Sequence, residues 1–285
     1  VRLAVSLLEE TASDEDVEDI LSDDVILRLV GSGDLQILVR TGQLALGVAS
    51  IWERFSHWAT ELEFAVNNRT EYVQHLTSLS DAEAESLSKH EGWLKLNLNG
   101  LMSLSDTAAE SLSRREGDLY LDGLASLSDA AAESLSKHRG PLHLDGLTSL
   151  SDAAAESLNK HRGPLHLDGL TSLSDLAAEG LGKHRGYLNL NGLTSLSDAA
   201  AYSLSKHERR LTLDGLTRLS DAAAESLSKH KGILELGGLT TLSDAAAESL
   251  SKCKADLYLN GLTSLSDASA ESLGRYEGNL HLDST

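Results

Sequence analysis

From Leu96 onward the sequence repeats with a period of 23 residues, new units opening at Leu96, Leu119, Leu142, Leu165, Leu188, Leu211, Leu234 and Leu257. A degenerate copy (around Glu71–Gly92) precedes them, and Leu280–Thr285 starts another. A period of this length constrains the fold more than any other feature of the chain. Each unit is one supersecondary element too small to bury its own apolar side, so the units must stack on each other as a solenoid.

The unit Leu142–Pro164 shows what is stacked. In Leu142-His143-Leu144-Asp145 apolar and polar residues alternate, which predicts a short strand with both leucines facing inward. Asp145-Gly146 signals a turn, after which Leu147 and Leu150 return to the core. Ser151-Asp152 offers a side-chain oxygen to the free N–H groups of a helix start. The spacing predicts a helix over Ala153–Arg162, with Leu150, Ala154 and Leu158 on one face. Asp152 at its positive end and Lys160-His161-Arg162 at its negative end suit the macrodipole, and Gly163 supplies a left-handed stop.

Stacked, such units place a parallel sheet on one side and helices on the other. Strands repeat every ~4.8 Å whereas helix axes need ~8–10 Å, so the stack bends by roughly 20° per unit. The sheet then lines the concave side and the helices the convex side, with right-handed crossovers.

The pattern L-x-L-x-G-L-x-x-L, seen as Leu142, Leu144, Gly146, Leu147 and Leu150, resembles a leucine-rich repeat over about Val73–Asp283. The alanine-rich helix after it is similar to the short-helix variants of bacterial proteins. The resemblance implies an α/β solenoid used as a binding scaffold, mostly for protein partners; a fold alone does not fix a function. The chain departs from the common pattern in lacking a regular Asn after the strand. Asp or Asn at the fourth position of most units is the candidate replacement.

Residues 1–72 form a separate region, with 14 acidic and 5 basic residues and no match to the repeat. Ser13–Val30 reads as one helix or two, and Ile51–Val66 as an amphipathic helix with Trp52, Phe55, Ala59, Leu62 and Val66 on one stripe. A solenoid end exposes a raw apolar layer, so 1–72 is expected to be a mainly helical cap that, with Trp93 and Leu94-Lys95, seals the array 73–285. Opening without Met and ending in mid-unit, the sequence reads as part of something longer.

Composition narrows the function classes. A formal net charge of −20 argues against nucleic acid or an anionic membrane as partner. No apolar run approaches the length of a membrane span, and the single cysteine, Cys253, has no intrachain partner for a disulfide. There is no phosphate-cradling glycine loop, no H-E-x-x-H and no cysteine pair for zinc. Serines and aspartates recur at repeat positions, where capping and turns account for them. No catalytic residue, cofactor or metal is therefore assigned.

Two columns of the repeat are candidate sites. His90, His138, His161, His184, His207 and His230 line up on stacking and could form a metal ladder or pH switch. Arg115, Cys253 and Tyr276 hold the same position, and Arg cannot ligate a metal, which favours helix-end histidines pairing with the dipole at low pH. The fourth-position column (Asn99, Asp122, Asp145, Asp168, Asn191, Asp214, Asn260) could hold calcium, but Asn serves there as well as Asp. A side-chain oxygen accepting from turn N–H groups fits better, and Gly237 should leave one turn less well held.

What varies between units is the second position and the last, both projecting from the sheet. Tyr120, His143, His166, Tyr187, Arg210 and Tyr258 are the candidate binding residues, of types common at interfaces. The expected function is a non-catalytic scaffold binding a protein or peptide on the concave face. A carbohydrate or small-ligand surface is a second reading, and a substrate-selecting module of a larger enzyme a third. Leu280–Asp283 reads as a strand with no covering unit, and its unpaired outer edge is expected to favour self-association.

Overall fold

The computed structural model describes residues 70–72, 76–88 and 95–282. The helices expected over Ser13–Val30 and Ile51–Val66, and His90, Trp93 and Leu94, lie outside the described residues, and of the cap expected over 1–72 only Thr70–Tyr72 is described, as a strand. Ten parallel strands form one sheet in strict sequence order. They are β1 (Thr70–Tyr72), β2 (Lys95–Asn97), β3 (Asp118–Tyr120), β4 (Leu142–His143), β5 (Leu165–His166), β6 (Leu188–Asn189), β7 (Leu211–Thr212), β8 (Ile233–Glu235), β9 (Asp256–Tyr258) and β10 (Leu280–His281). Between them run α1 (Asp81–Ser88), α2 (Asp106–Ser113), α3 (Asp129–Leu135), α4 (Asp152–Leu158), α5 (Asp175–Leu181), α6 (Asp198–Leu204), α7 (Asp221–Leu227), α8 (Asp244–Leu250) and α9 (Asp267–Leu273). Each strand pairs in register with its copy in the next unit, Leu142 with Leu165 and His143 with His166 for example. The expected layers are present: a parallel sheet, a row of short helices, and leucines between them.

The core is repetitive. In the unit from Leu142, the side chains of Leu142, Leu144, Leu147, Ala154, Ala155 and Leu158 are fully buried, and the same positions recur along the stack. Alanine at the helix contacts lets neighbouring helices approach closely. Leu150 is only partly buried and packs on the edge of this cluster.

The helices are shorter than the sequence pattern suggests. α4 ends at Leu158 and is capped by Asn159, whose backbone is right-handed (φ −61°, ψ −22°). Bonds of the tighter i→i+3 kind follow, Lys160 N–H to Ser157 O and His161 N–H to Leu158 O at 3.1 and 3.0 Å. Lys160-His161-Arg162 therefore belongs to the returning loop, not to a last helical turn. Nor does Gly163 act as a left-handed stop. Gly117, at φ 93°, is the one glycine with positive φ among the described residues. Gly163 is needed for another reason: a Cβ there would stand 2.4 Å from the carbonyl oxygen of Gly140 in the unit before. The turn glycines are tighter still, Gly146 leaving only 1.9 Å to Asp122 O. Close stacking of backbone on backbone, not helix termination, selects these glycines.

Two rows of polar bonds stitch the units. On the helix side each cap serine accepts from its own helix, as Ala154 N–H donates to Ser151 Oγ at 3.0 Å. The same hydroxyl donates to the first aspartate of the preceding helix, Ser151 Oγ to Asp129 Oδ1, and the link recurs from Ser105–Asp81 to Ser266–Asp244. On the sheet side, the fourth-position residue accepts from the backbone N–H of its copy one unit on. Asp145 N–H donates to Asp122 Oδ1 at 3.0 Å, Asp168 N–H to Asp145 Oδ1 at 2.8 Å and Asn191 N–H to Asp168 Oδ1 at 2.9 Å. The acceptor role expected of this column is met, but between units and not within one turn. Gly237 N–H donates to Asp214 Oδ1 at 2.6 Å, but Gly237 has no side chain to accept the N–H of Asn260.

Asp145→Ala is expected to cost about 1–2 kcal/mol by leaving Asp168 N–H unserved, while Asp145→Asn retains most of that. Gly146→Ala should cost clearly more than the ~1 kcal/mol typical of a conformational glycine, because the carbonyl of Asp122 has to move. Urea unfolding midpoints of the three variants check both statements.

Candidate functional site

The histidine column lies in the interior. His138, His161, His184, His207 and His230 are buried, and successive rings stack with centroids 6.0–6.2 Å apart. This corrects the helix-end reading: the loop after each helix turns the ring inward, where it cannot meet a dipole in water. His138 Nε2 lies 2.9 Å from Gly117 O, His184 Nε2 3.2 Å from Gly163 O and His230 Nε2 2.9 Å from Arg209 O, each a carbonyl of the preceding unit. These bonds make Nε2 the donor in His138, His184 and His230, and Nδ1 of all five rings is buried without a partner. His161 lacks the Nε2 bond as well. Other occupants of the position also donate to backbone carbonyls: Tyr276 OH to Ala255 O, the equivalent of Gly117 O, and Arg115 Nη1 to Leu87 O at 2.7 Å, in the preceding helix. A backbone carbonyl acceptor, His161 excepted, is what these side chains share. Burial, then a neighbouring histidine, lowers His161, His184 and His207 to about 4, so the stack is neutral near pH 7. Among the described residues, no group of three or more His, Cys, Asp or Glu is placed to hold a metal ion.

The opposite, outward face of the sheet carries the second-position side chains. In-register pairing sets Tyr120 beside His143 and His143 beside His166. Their rings stack at 4.0 and 4.1 Å, within 15° of parallel. Beyond them Asn189 Nδ2 donates to His166 Nδ1 at 2.8 Å, and Thr212 Oγ1 donates to Asn189 Oδ1 at 3.0 Å. One chain of contacts thus runs from Tyr120 across β3 to β7. Burial, with His166 next, lowers His143 to about 4, so this aromatic row is uncharged at that ring. Burial and the adjacent Asp118 raise Tyr120 above its ordinary value. These outer rings approach more closely than strands are spaced, whereas the buried column is more open. The units therefore splay towards the helices, as a sheet on the concave side requires.

The remaining candidates fall into a second group. Arg210 Nη2 pairs with Glu235 Oε1 at 2.6 Å, with Glu235 only 12% exposed. Tyr258 stacks on His281 at 3.9 Å. Arg210, Asp214, Glu235, Gly237, Tyr258 and Asn260 line a recess of about 380 Å³. Tyr187 stands exposed in the last-position row, without a ring contact or hydrogen bond to the other five candidates. Sequence reasoning placed Asn189, Thr212 and Glu235 in the second-position row and Asp214 in the fourth-position column, but did not single them out as binding residues. The signal for the recess was the glycine at 237 in a column of Asp and Asn.

The architecture is that of a leucine-rich-repeat solenoid: strand, turn and short helix per unit, one parallel sheet and a leucine core. No family model matches the sequence, and no curated protein matches it. Ten solved chains match its structure. One, a leucine-rich-repeat protein of Leptospira interrogans, is 17% identical with a TM-score of 0.37 over 73% of this chain and 64% of that one. The chain thus spans less than two thirds of that protein's length. Among the described residues no helix is long and apolar enough to cross a membrane.

The buried stack makes stability depend on pH with a definite sign. An unfolded histidine takes a proton near 6.5, whereas His161, His184 and His207 hold off protonation until about 4. The unfolded chain therefore binds more protons between these values, and stability present above pH 6.5 is lost as pH falls towards 4. Each of the three contributes on the order of 3 kcal/mol at the acid limit. Urea midpoints measured from pH 7.5 to 4.5 should fall, and His184→Gln should flatten that slope even though it lowers the midpoint at pH 7.5.

Proposed function

We propose that the chain is a non-catalytic scaffold that receives an extended protein or peptide segment on the outward face of its sheet. The observation that carries this is a contrast within each unit. Leucines, turn glycines, cap serines and the Asp/Asn row repeat because each must stack on its own copy. The side chains of the sheet face change from strand to strand, yet they form an ordered row of rings and hydrogen bonds. Such a row offers half-buried aromatic area already fixed in place, so little side-chain entropy is lost on binding. Tyr and Arg in this setting are the side-chain types that dominate interface energetics.

Selection of a displayed peptide library against the chain tests the reading. Peptides that bind should lose at least ~30-fold in affinity, about 2 kcal/mol, when Tyr120, His166 and Tyr258 are all changed to Ala. Thermal unfolding should show the triple variant still folded, since none of the three belongs to the leucine core. The pair Glu156→Ala and Lys160→Ala on the helix side should leave binding unchanged. Binding lost in the helix-side pair and kept in the triple variant would move the working face to the helices. Glycan binding with no peptide binding would make the face a carbohydrate surface.

A further inference from the structure

We propose that the recess over Gly237 is a pocket for the cationic end of an arginine or lysine side chain carried by the bound segment. This rests on the scaffold reading and adds to it the chemistry of one contact.

The recess exists because one stacking rule is broken once. From Asn99 to Asp214 every fourth-position side chain lies in front of the next turn and accepts its N–H. Gly237 puts no atoms there, and the row resumes only at Asn260. The space left, about 380 Å³, is bounded by Asp214 and Asn260 along that row and by Arg210, Glu235 and Tyr258 on the sheet face. That volume falls at the low end for small-ligand sites, fitting one long side chain and not a folded domain.

Its charges select the occupant. Glu235 and Arg210 compensate each other at 2.6 Å. Asp214 receives the Gly237 N–H on Oδ1 and forms no ion pair with any described Lys or Arg. One carboxylate of the recess is therefore uncompensated. Tyr258 stacks one ring face on His281, leaving the other face free of that contact, and is one of the residues that line the recess. A carboxylate beside an aromatic face is the setting that holds a guanidinium or ammonium group, through charge and the ring quadrupole together. An anionic occupant would meet Asp214 and Glu235 in a chain of formal net charge −20, which disfavours its approach from a distance as well.

The pocket can be closed without adding charge. Gly237→Asn supplies the missing side chain, whose Cβ would stand 3.0 Å from Asp214 Oδ1, a side-chain and not a backbone atom, which has to give by only a few tenths of an ångström. It also restores an acceptor for Asn260. The probes are N-acetyl-arginine amide and its neutral isostere N-acetyl-citrulline amide, titrated into the whole chain at low salt and followed by NMR. The arginine probe should bind in the millimolar range and the citrulline probe at least ~10-fold more weakly, as expected for a charge-dependent contact. Gly237→Asn should abolish arginine binding while melting no lower than wild type, and Asp214→Asn should weaken it several-fold. Equal binding of both probes, or arginine binding unaffected by Gly237→Asn, overturns the proposal. Peptides selected on the sheet face that ignore Gly237→Asn would also overturn it and leave the scaffold reading intact. Gly237-dependent binding of the arginine probe with no peptide bound anywhere would instead keep the pocket and remove the scaffold.

Discussion

The structure depends on one constraint: each residue of a repeat unit lies against its own copy one unit away, at the spacing of paired strands on the sheet and farther apart towards the helices. A position can repeat only if its side chain packs well on itself. Leucine and alanine do so by dispersion and burial. A glycine does so by letting one carbonyl pass within about 2 Å of where a Cβ would be, as at Gly146. Polar residues need a complementary pair of roles, and both polar rows supply one. The cap serine is acceptor to its own helix and donor to the aspartate before it, while the turn Asp or Asn accepts the N–H of its successor. Side-chain ladders of this kind add to the backbone ladder without competing with it.

The histidine column follows the same rule under harsher conditions. A buried imidazole is costly if charged and only mildly so if neutral, with a lone acceptor nitrogen unserved. Stacking on a like ring, and donating to a carbonyl of the unit before, makes the neutral form tolerable. Arg115 and Tyr276 reach a backbone carbonyl from the same position, so the seat is defined by an acceptor, not by imidazole chemistry. It also means that the column answers to acid as a structural element would.

Function, on this view, belongs to the places where self-stacking is relaxed. The sheet face has no buried layer above it, so its side chains need only tolerate their neighbours. The face is consequently heterogeneous but ordered: a ring stack at one end, an Asn–Thr bridge in the middle, an ion pair and a second ring stack at the other. Gly237 relaxes the rule in a row that otherwise obeys it, and an opening results.

The sequence by itself determined the solenoid. A period of 23 residues with leucines at fixed offsets leaves no other way to bury them, and Ser-Asp before an alanine run starts a helix through local capping. The parallel strand direction followed from stacking like units, and the outward placement of Tyr120, His143, His166, Tyr187, Arg210 and Tyr258 from strand alternation. What only the tertiary structure decided concerns the partner of each group. Helix length, the inward turn of His161, the stacking role of Gly163 and the Asn189–Thr212 bridge all depend on atoms 23 residues away in sequence. Periodicity shows which residues are equivalent. It does not show whether a side chain meets solvent, its own turn or its copy, because that is set by the distance and splay between units, quantities with no local signature.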